Sequence, residues 1–318
     1  MYDKQVVIKR PWITVCSGLL FLGLAACSTV QTQQIVENRE QLPVKAEVAG
    51  VPFFPQQRYY CGPAALAMVL AWSGLPVTQD DLVSEVYTPS RKGTLRTDVL
   101  TAARRHGRLA VEIVSLRDLL QQIAAGSPVL VFQNLALSWY PQWHYAVAIG
   151  YDLDAREITL HSGLDERRVV SLSVFERTWR RGDYWALVVL PPGQLPASAE
   201  ETPALKAAAG LERVERYSEA ATAYAAVANR WPQSFAARMG LGNSLYAVGD
   251  YPGAESAFLE AISNDSKAAA AWNNLAYALA AQGRREEALS AVEKAVLYGA
   301  KNRDQYEDTL RELSTREM

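Results

Sequence analysis

The sequence predicts two folded units in series: an α+β domain over residues 49–190 and an all-α repeat solenoid over residues 204–318. Three observations carry this. Within 49–190, helical patterns come first and strand patterns later. A Pro-, Ala- and Glu-rich stretch, 191–203, then reads as a linker. Beyond it strand signals vanish, alanine dominates, and the sequence resembles itself at a shift of 34 residues.

Composition fits this picture. The 318 residues suit two domains, each with its own core. Apolar residues make up 49% and charged ones 21%, which excludes a disordered or disulfide-scaffold chain. Lys+Arg 32 against Asp+Glu 34 leaves a net charge of −2, so there is no basic excess for phosphates and nucleic acid is not an expected partner.

The elements follow in chain order. Lys4, Lys9 and Arg10 precede an apolar run over 12–26, the pattern of a secretory signal over 1–26. The run is shorter than the about 20 apolar residues of a membrane-spanning helix. Residues 27–48 are polar and Gln-rich and read as a tether. Gly62-Pro63 opens a helix over 64–72, ended by Gly74. Thr78 with Asp81, and Ser115 with Asp118, have capping-box spacing. A further helix is expected over 95–106. Runs rich in β-branched and aromatic residues predict strands over 129–132, 145–149, 157–160, 169–172 and 185–190, with a short helix at 173–180.

In the second unit the 34-residue shift takes Leu241 to Leu275, Gly249 to Gly283, Ala254 to Ala288, Ala257 to Ala291 and Ala261 to Ala295. Upstream it takes Tyr217 to Tyr251, Ala220 to Ala254 and Tyr224 to Phe258. The pattern resembles the tetratricopeptide repeat, with repeats near 202–235, 236–269 and 270–303 and a polar helical cap to 318. That resemblance implies a protein partner bound through the repeats.

The chain has only three cysteines, Cys16, Cys27 and Cys61, and three histidines, His106, His144 and His161. Cys61 lies where a loop enters a helix. The unpaired N–H groups and partial positive charge there favour a thiolate nucleophile. Gln56 or Gln57, just upstream, can donate to an oxyanion beside the Cys61 backbone N–H. His144 starts a strand that ends near Asp152, and a second strand runs to His161. A hairpin centred between Asp152 and Leu153 sets His144 opposite His161, on one face with Ala146, Ala148 and Thr159. His161 is then a candidate orienting group for His144, with a structural histidine as the alternative. Cys61, His144 and His161 together also have the composition of a three-ligand zinc site, although the Gln-Cys-Gly-Pro pattern favours no metal and no cofactor. His106, at a helix end beside Arg104 and Arg105, reads as polar surface. The Trp139–Trp143 aromatic run either walls a substrate groove or packs inward.

Two resemblances sharpen the reading. Leu24-Ala25-Ala26-Cys27 resembles a bacterial lipobox, which implies a lipid on Cys27. Ser28, by resemblance to Gram-negative lipoproteins, implies the outer membrane, facing the periplasm. Val51-Pro52-Phe53-Phe54-Pro55-Gln56, Cys61-Gly62-Pro63-Ala64-Ala65 and His144-Tyr145-Ala146-Val147-Ala148-Ile149-Gly150-Tyr151-Asp152 resemble the papain-like cysteine peptidases of family thirty-nine, which include the double-glycine leader peptidases of bacteriocin exporters. The resemblance implies a papain-like fold over 49–190, Cys61 as nucleophile, His144 as general base, and Gln56, preferred to Gln57, in the oxyanion hole. It fails at the third member. Relatives carry an Asp, usually followed by Pro, where this chain reads Leu160-His161-Ser162-Gly163. The expected function is a membrane-anchored cysteine peptidase acting on a peptide or protein substrate. The alternative is a non-catalytic papain-like and repeat scaffold for envelope assembly.

Overall fold

The computed structural model describes residues 29–57 and 59–315. The proposed signal, the lipobox Cys27 and Ser28 lie outside the described residues.

The first unit is built on an antiparallel sheet in the order β4-β9-β5-β6-β7-β8. These strands are β4 (Leu109–Ile113), β5 (Val129–Asn134), β6 (Trp143–Asp152), β7 (Glu157–Ser162), β8 (Asp165–Ser171) and β9 (Ala186–Leu190). Helices cover both faces. On one face lie α2 (Cys61–Trp72), α3 (Gln79–Val86) and α4 (Arg96–Arg105), packed on Tyr145, Val147 and Ile149 of β6. On the other lie α1 (Val30–Glu37), α5 (Leu116–Ala124) and α6 (Leu172–Arg180), packed on Ala146, Ala148, Ile158 and Leu160. The sequence suggests a sheet packed on one helical half; two-sided burial follows from β5 and β9, whose unbroken apolar runs leave no face for water. The far edge strand β8 is protected differently, by the exposed charges of Asp165, Glu166, Arg167 and Arg168.

The capping box expected of Thr78 and Asp81 forms on α3. At α5 only its N-cap half is present, the Ser115 hydroxyl accepting from the Asp118 N–H at 3.3 Å.

Two segments depart from the sequence reading. The expected tether is folded from α1 onward. The first-turn N–H groups of Gln31 and Thr32 donate to the Glu176 carboxylate at 3.1 and 2.7 Å, and Ile35 is buried beneath. A strand β1 (Lys45–Glu47) then pairs with the end of β6. The polar composition misleads because its polar atoms are spent on specific partners in the body of the domain. The expected linker is also docked: the Gln122 side chain bonds the Ser198 hydroxyl at 3.1 Å and the Ala197 N–H at 3.2 Å.

The second unit is a series of helix pairs, α7 (Glu201–Glu212) with α8 (Tyr217–Arg230), α9 (Phe235–Ala247) with α10 (Tyr251–Asn264), and α11 (Ala269–Ala281) with α12 (Arg285–Tyr298), followed by α13 (Arg303–Thr315). The alanines that define the period, Ala220, Ala254, Ala288, Ala261 and Ala295, are all buried. Their small size lets neighbouring helices approach. The aromatic of the period fills the space left over: a Cβ on Gly240 would stand 2.3 Å from the Tyr224 ring. The two units share a core, because Leu109 and Val111 of edge strand β4 pack on Ala207, Ala208 and Leu211 of α7.

Candidate active site

Cys61 is the first residue of α2. Its sulfur accepts from the backbone N–H groups of Tyr145, Gly62 and Cys61 itself, which pull the thiol pKa down; burial outweighs them and pushes it above its ordinary value. The position is crowded by the two-stranded hairpin of β2 (Tyr87–Thr88) and β3 (Gly93–Thr94). A Cβ on Gly62 would fall 2.4 Å from the Thr94 hydroxyl, so only glycine lets this hairpin lie against the start of α2. The Tyr145 hydroxyl donates to the Thr94 carbonyl at 3.2 Å and ties the hairpin to β6.

His144 is buried near the start of β6. Its Nε2 lies 2.9 Å from the Ser162 hydroxyl oxygen. Burial, with the positive charge of Arg168 adding to it, pushes the imidazole pKa down to about 4, so the ring is neutral at neutral pH. Cys61, His144 and Gln56 line one groove of about 1030 Å³. Gln57, the rival oxyanion donor, is exposed and is not among the residues lining it. Of the aromatic side chains in the 139–143 run only Trp143 lines the groove, stacked on Phe132 with ring centroids 5.1 Å apart; Trp139 and Tyr140 are exposed outside it.

His161 does not reach His144. Its ring is turned to the other face of the sheet, with Nδ1 against the Glu166 carbonyl and Nε2 3.2 Å from the Val51 carbonyl. Phe53 packs beside it at 5.4 Å between centroids. The cause is register. The structure pairs Val147 with His161 and Ala148 with Leu160, where the centred hairpin would pair His144 with His161. The slip is an odd number of residues, and an odd slip exchanges faces. Two features combine to give it. Asp152 forms the turn: its carboxylate accepts from both Asp154 and Ala155 N–H at 3.0 Å, which lengthens the connection to Leu153–Arg156 and shifts the register by an even number that keeps the face. The bulge between Ala148 and Gly150 takes back one residue, makes the slip odd and so turns His161 over. Ser162 thereby takes the place beside His144. Sequence reasoning passed over it because a hydroxyl carries no charge signal; its position directly after His161, on the opposite face, was the available clue. Cys61, His144 and His161 do not converge, and among the described residues no group of three His, Cys, Asp or Glu could hold a metal ion. His106 sits at the α4 C-terminus, Nε2 3.0 Å from Glu85, away from the groove.

Residues 48–185 match the family model described as Peptidase_C39 like family, and residues 205–262 and 240–306 match the tetratricopeptide repeat model. No curated protein matches. A crystal structure described as a C39-like peptidase from Bacillus anthracis is 21% identical, with a TM-score of 0.41, covering 46% of this chain and 97% of that one. The type III secretion translocator chaperone SycD of Yersinia enterocolitica is 19% identical, with a TM-score of 0.35, covering 36% and 91%. The TPR2B domain of yeast Sti1, in a complex with pHsp70, is 17% identical, with a TM-score of 0.36, covering 37% and 98%. The chain therefore carries a C39-peptidase-like domain followed by tetratricopeptide repeats, a repeat type that typically serves protein–protein interaction.

Proposed function

We propose that the chain is a thiol hydrolase of the cell envelope, a cysteine peptidase held at a membrane by lipid on Cys27. The observation that carries this reading is the shared groove of Cys61, His144 and Gln56. With Nε2 held by Ser162, Nδ1 is the ring nitrogen left for the thiol. Burial disfavours both charged forms, so the resting pair is thiol and neutral imidazole. As the sulfur attacks a substrate carbonyl carbon, His144 takes the thiol proton. It then delivers that proton to the leaving amine, and water hydrolyses the resulting thioester. Gln56 and the Cys61 backbone N–H steady the oxyanion. Ser162 positions His144. The repeats recruit a protein substrate or partner, and Ser28 favours the outer membrane, facing the periplasm.

A second reading, a non-catalytic scaffold, draws on Ser162 in place of an acid and on the raised thiol. Cys61→Ser decides between them. The hydrolase reading expects wild-type Cys61 to be alkylated by iodoacetamide in a His144-dependent way, and the Ser variant to lose peptide turnover with a nearly unchanged melt. An unlabelled Cys61, with a melt lowered by the about 1–3 kcal/mol of an unpaired buried hydroxyl, supports the scaffold. For the anchor, Cys27→Ala should abolish lipid labelling; processing and release identical to wild type would refute it.

A further inference from the structure

The charged side chains lining the groove at Cys61 sum to a net positive charge. Four charged side chains line it: Arg91, Lys92, Arg96 and Asp183. Two of these neutralise each other, since Arg96 Nη2 lies 3.2 Å from Asp183 Oδ2. Arg96 is further fixed by its guanidinium, 5.6 Å from the centre of the Phe132 ring. Arg91 and Lys92 are exposed and make no ion pair among the described residues. Their backbone lies in a tight turn. Arg91 ends a single turn of 3-10 helix, Pro89–Arg91, and Lys92 takes a left-handed backbone conformation with φ of 49° between the paired strands β2 and β3. That hairpin is the one clamped against Cys61 through Gly62 and Tyr145. The groove thus offers two uncompensated positive charges and no uncompensated negative one among its lining residues. At about 1030 Å³ it has room for several residues of an extended chain.

We infer that this groove selects peptide segments carrying an acidic side chain close to the bond presented to Cys61. The inference rests on the hydrolase reading for the identity of that bond, but the charge preference belongs to the groove itself. Arg91 and Lys92 supply the attraction. The paired Arg96 and Asp183 add no net charge. A basic segment meets like charge there and is rejected.

Binding and turnover separate the two claims. The full chain with Cys61→Ala, which cannot cleave, is titrated by fluorescence anisotropy with three labelled decapeptides that differ only in two central residues, Glu, Gln or Lys. The Glu peptide should bind at least about fivefold more tightly than the Gln peptide, the sum of two exposed ion pairs, and the Lys peptide most weakly. The spread should narrow at high salt. Arg91→Glu with Lys92→Glu should reverse the order. Equal affinities, a Lys preference, no binding of the Glu peptide, or an order unchanged in the double variant overturns the inference. Turnover of the same peptides by wild type tests the hydrolase reading alone: a Glu preference in binding without turnover sinks that reading and sustains the groove.

Discussion

The Ser162 hydroxyl holds His144 at 2.9 Å, from the strand next to the one that carries the imidazole. A hydroxyl can accept the Nε2 proton and fix the ring, as an acid would, yet it supplies no negative charge to stabilise an imidazolium. The two groups therefore rest uncharged, with the histidine at about 4 and the thiol above its ordinary value.

Exchanging that hydroxyl for a carboxylate should change the resting state. Ser162→Asp is expected to raise the His144 pKa and favour a thiolate–imidazolium pair. Alkylation of Cys61 by iodoacetamide at pH 6 should then rise by about tenfold or more, one pKa unit being worth a factor of ten. Ser162→Ala removes a buried hydrogen bond and should lower stability by about 1 kcal/mol while slowing turnover. If the pH profile of alkylation is identical in wild type and both variants, Ser162 does not act through His144.

Buried neutral His144 also makes stability depend on pH. Its folded pKa of about 4 lies below the ordinary 6.5, so between those values the unfolded chain binds a proton that the folded chain refuses. Its stability contribution is complete above about pH 6.5 and declines as pH falls toward 4. From pH 6.5 to 4.5 the loss should reach about 2–3 kcal/mol. Denaturant titrations of wild type and His144→Gln across this range check it. The variant should show a flatter slope; parallel curves would mean that the ring accepts a proton in the folded state.

Gly62 is required by a neighbour, not by its own backbone torsion. Gly62→Ala brings its new Cβ against the Thr94 side chain, at about the cost of overpacking, about 1–3 kcal/mol. The collision should also push the β2–β3 hairpin off the groove. Turnover is expected to fall with the melt, and Thr94→Gly in the same chain should restore both in part. A Gly62→Ala variant that melts and turns over like wild type would remove the steric explanation.

Legibility in the sequence followed how local each signal was. The repeats were readable because Ala220, Ala254 and Ala288 must be small wherever helix pairs stack. Cys61 and Gly62-Pro63 were readable because a helix start leaves a local mark. The β5 and β9 runs announce strands by their β-branched residues, and their unbroken apolar character also marks two-sided burial. The partner of His144 was not readable. It depends on Asp152 closing its own turn and on a bulge at Ala148/Gly150, and each shifts the register without changing the apolar alternation on either strand. The docking of α1 was equally hidden, because Glu176, which receives its N-terminus, lies far along the chain.

The seam between the two units supplies the last prediction. Leu211 of α7 is fully buried with Leu109 and Val111 of β4, so the first repeat helix covers a sheet edge that would otherwise face water. Around it, Lys206 lies 3.8 Å from Glu112, and Arg216 donates to the Arg105 carbonyl at 2.7 Å. The apolar core carries most of the attachment, because exposed pairs of this kind contribute little. Leu211→Asp places an unpaired carboxylate in that core and should cost several kcal/mol at the seam. The helix pairs from α9 onward keep their own contacts through Phe258, Leu275 and Leu279, so they should survive. Wild type is therefore expected to melt in one calorimetric transition, and Leu211→Asp in two, with the lower one belonging to the peptidase-like unit and its uncovered β4 edge. Hydrogen exchange locates the change: amides of β4 and α7 should lose protection while those of α11 and α12 keep it. A single transition in the variant, with unchanged protection of β4, would mean that the sheet edge holds without the repeats.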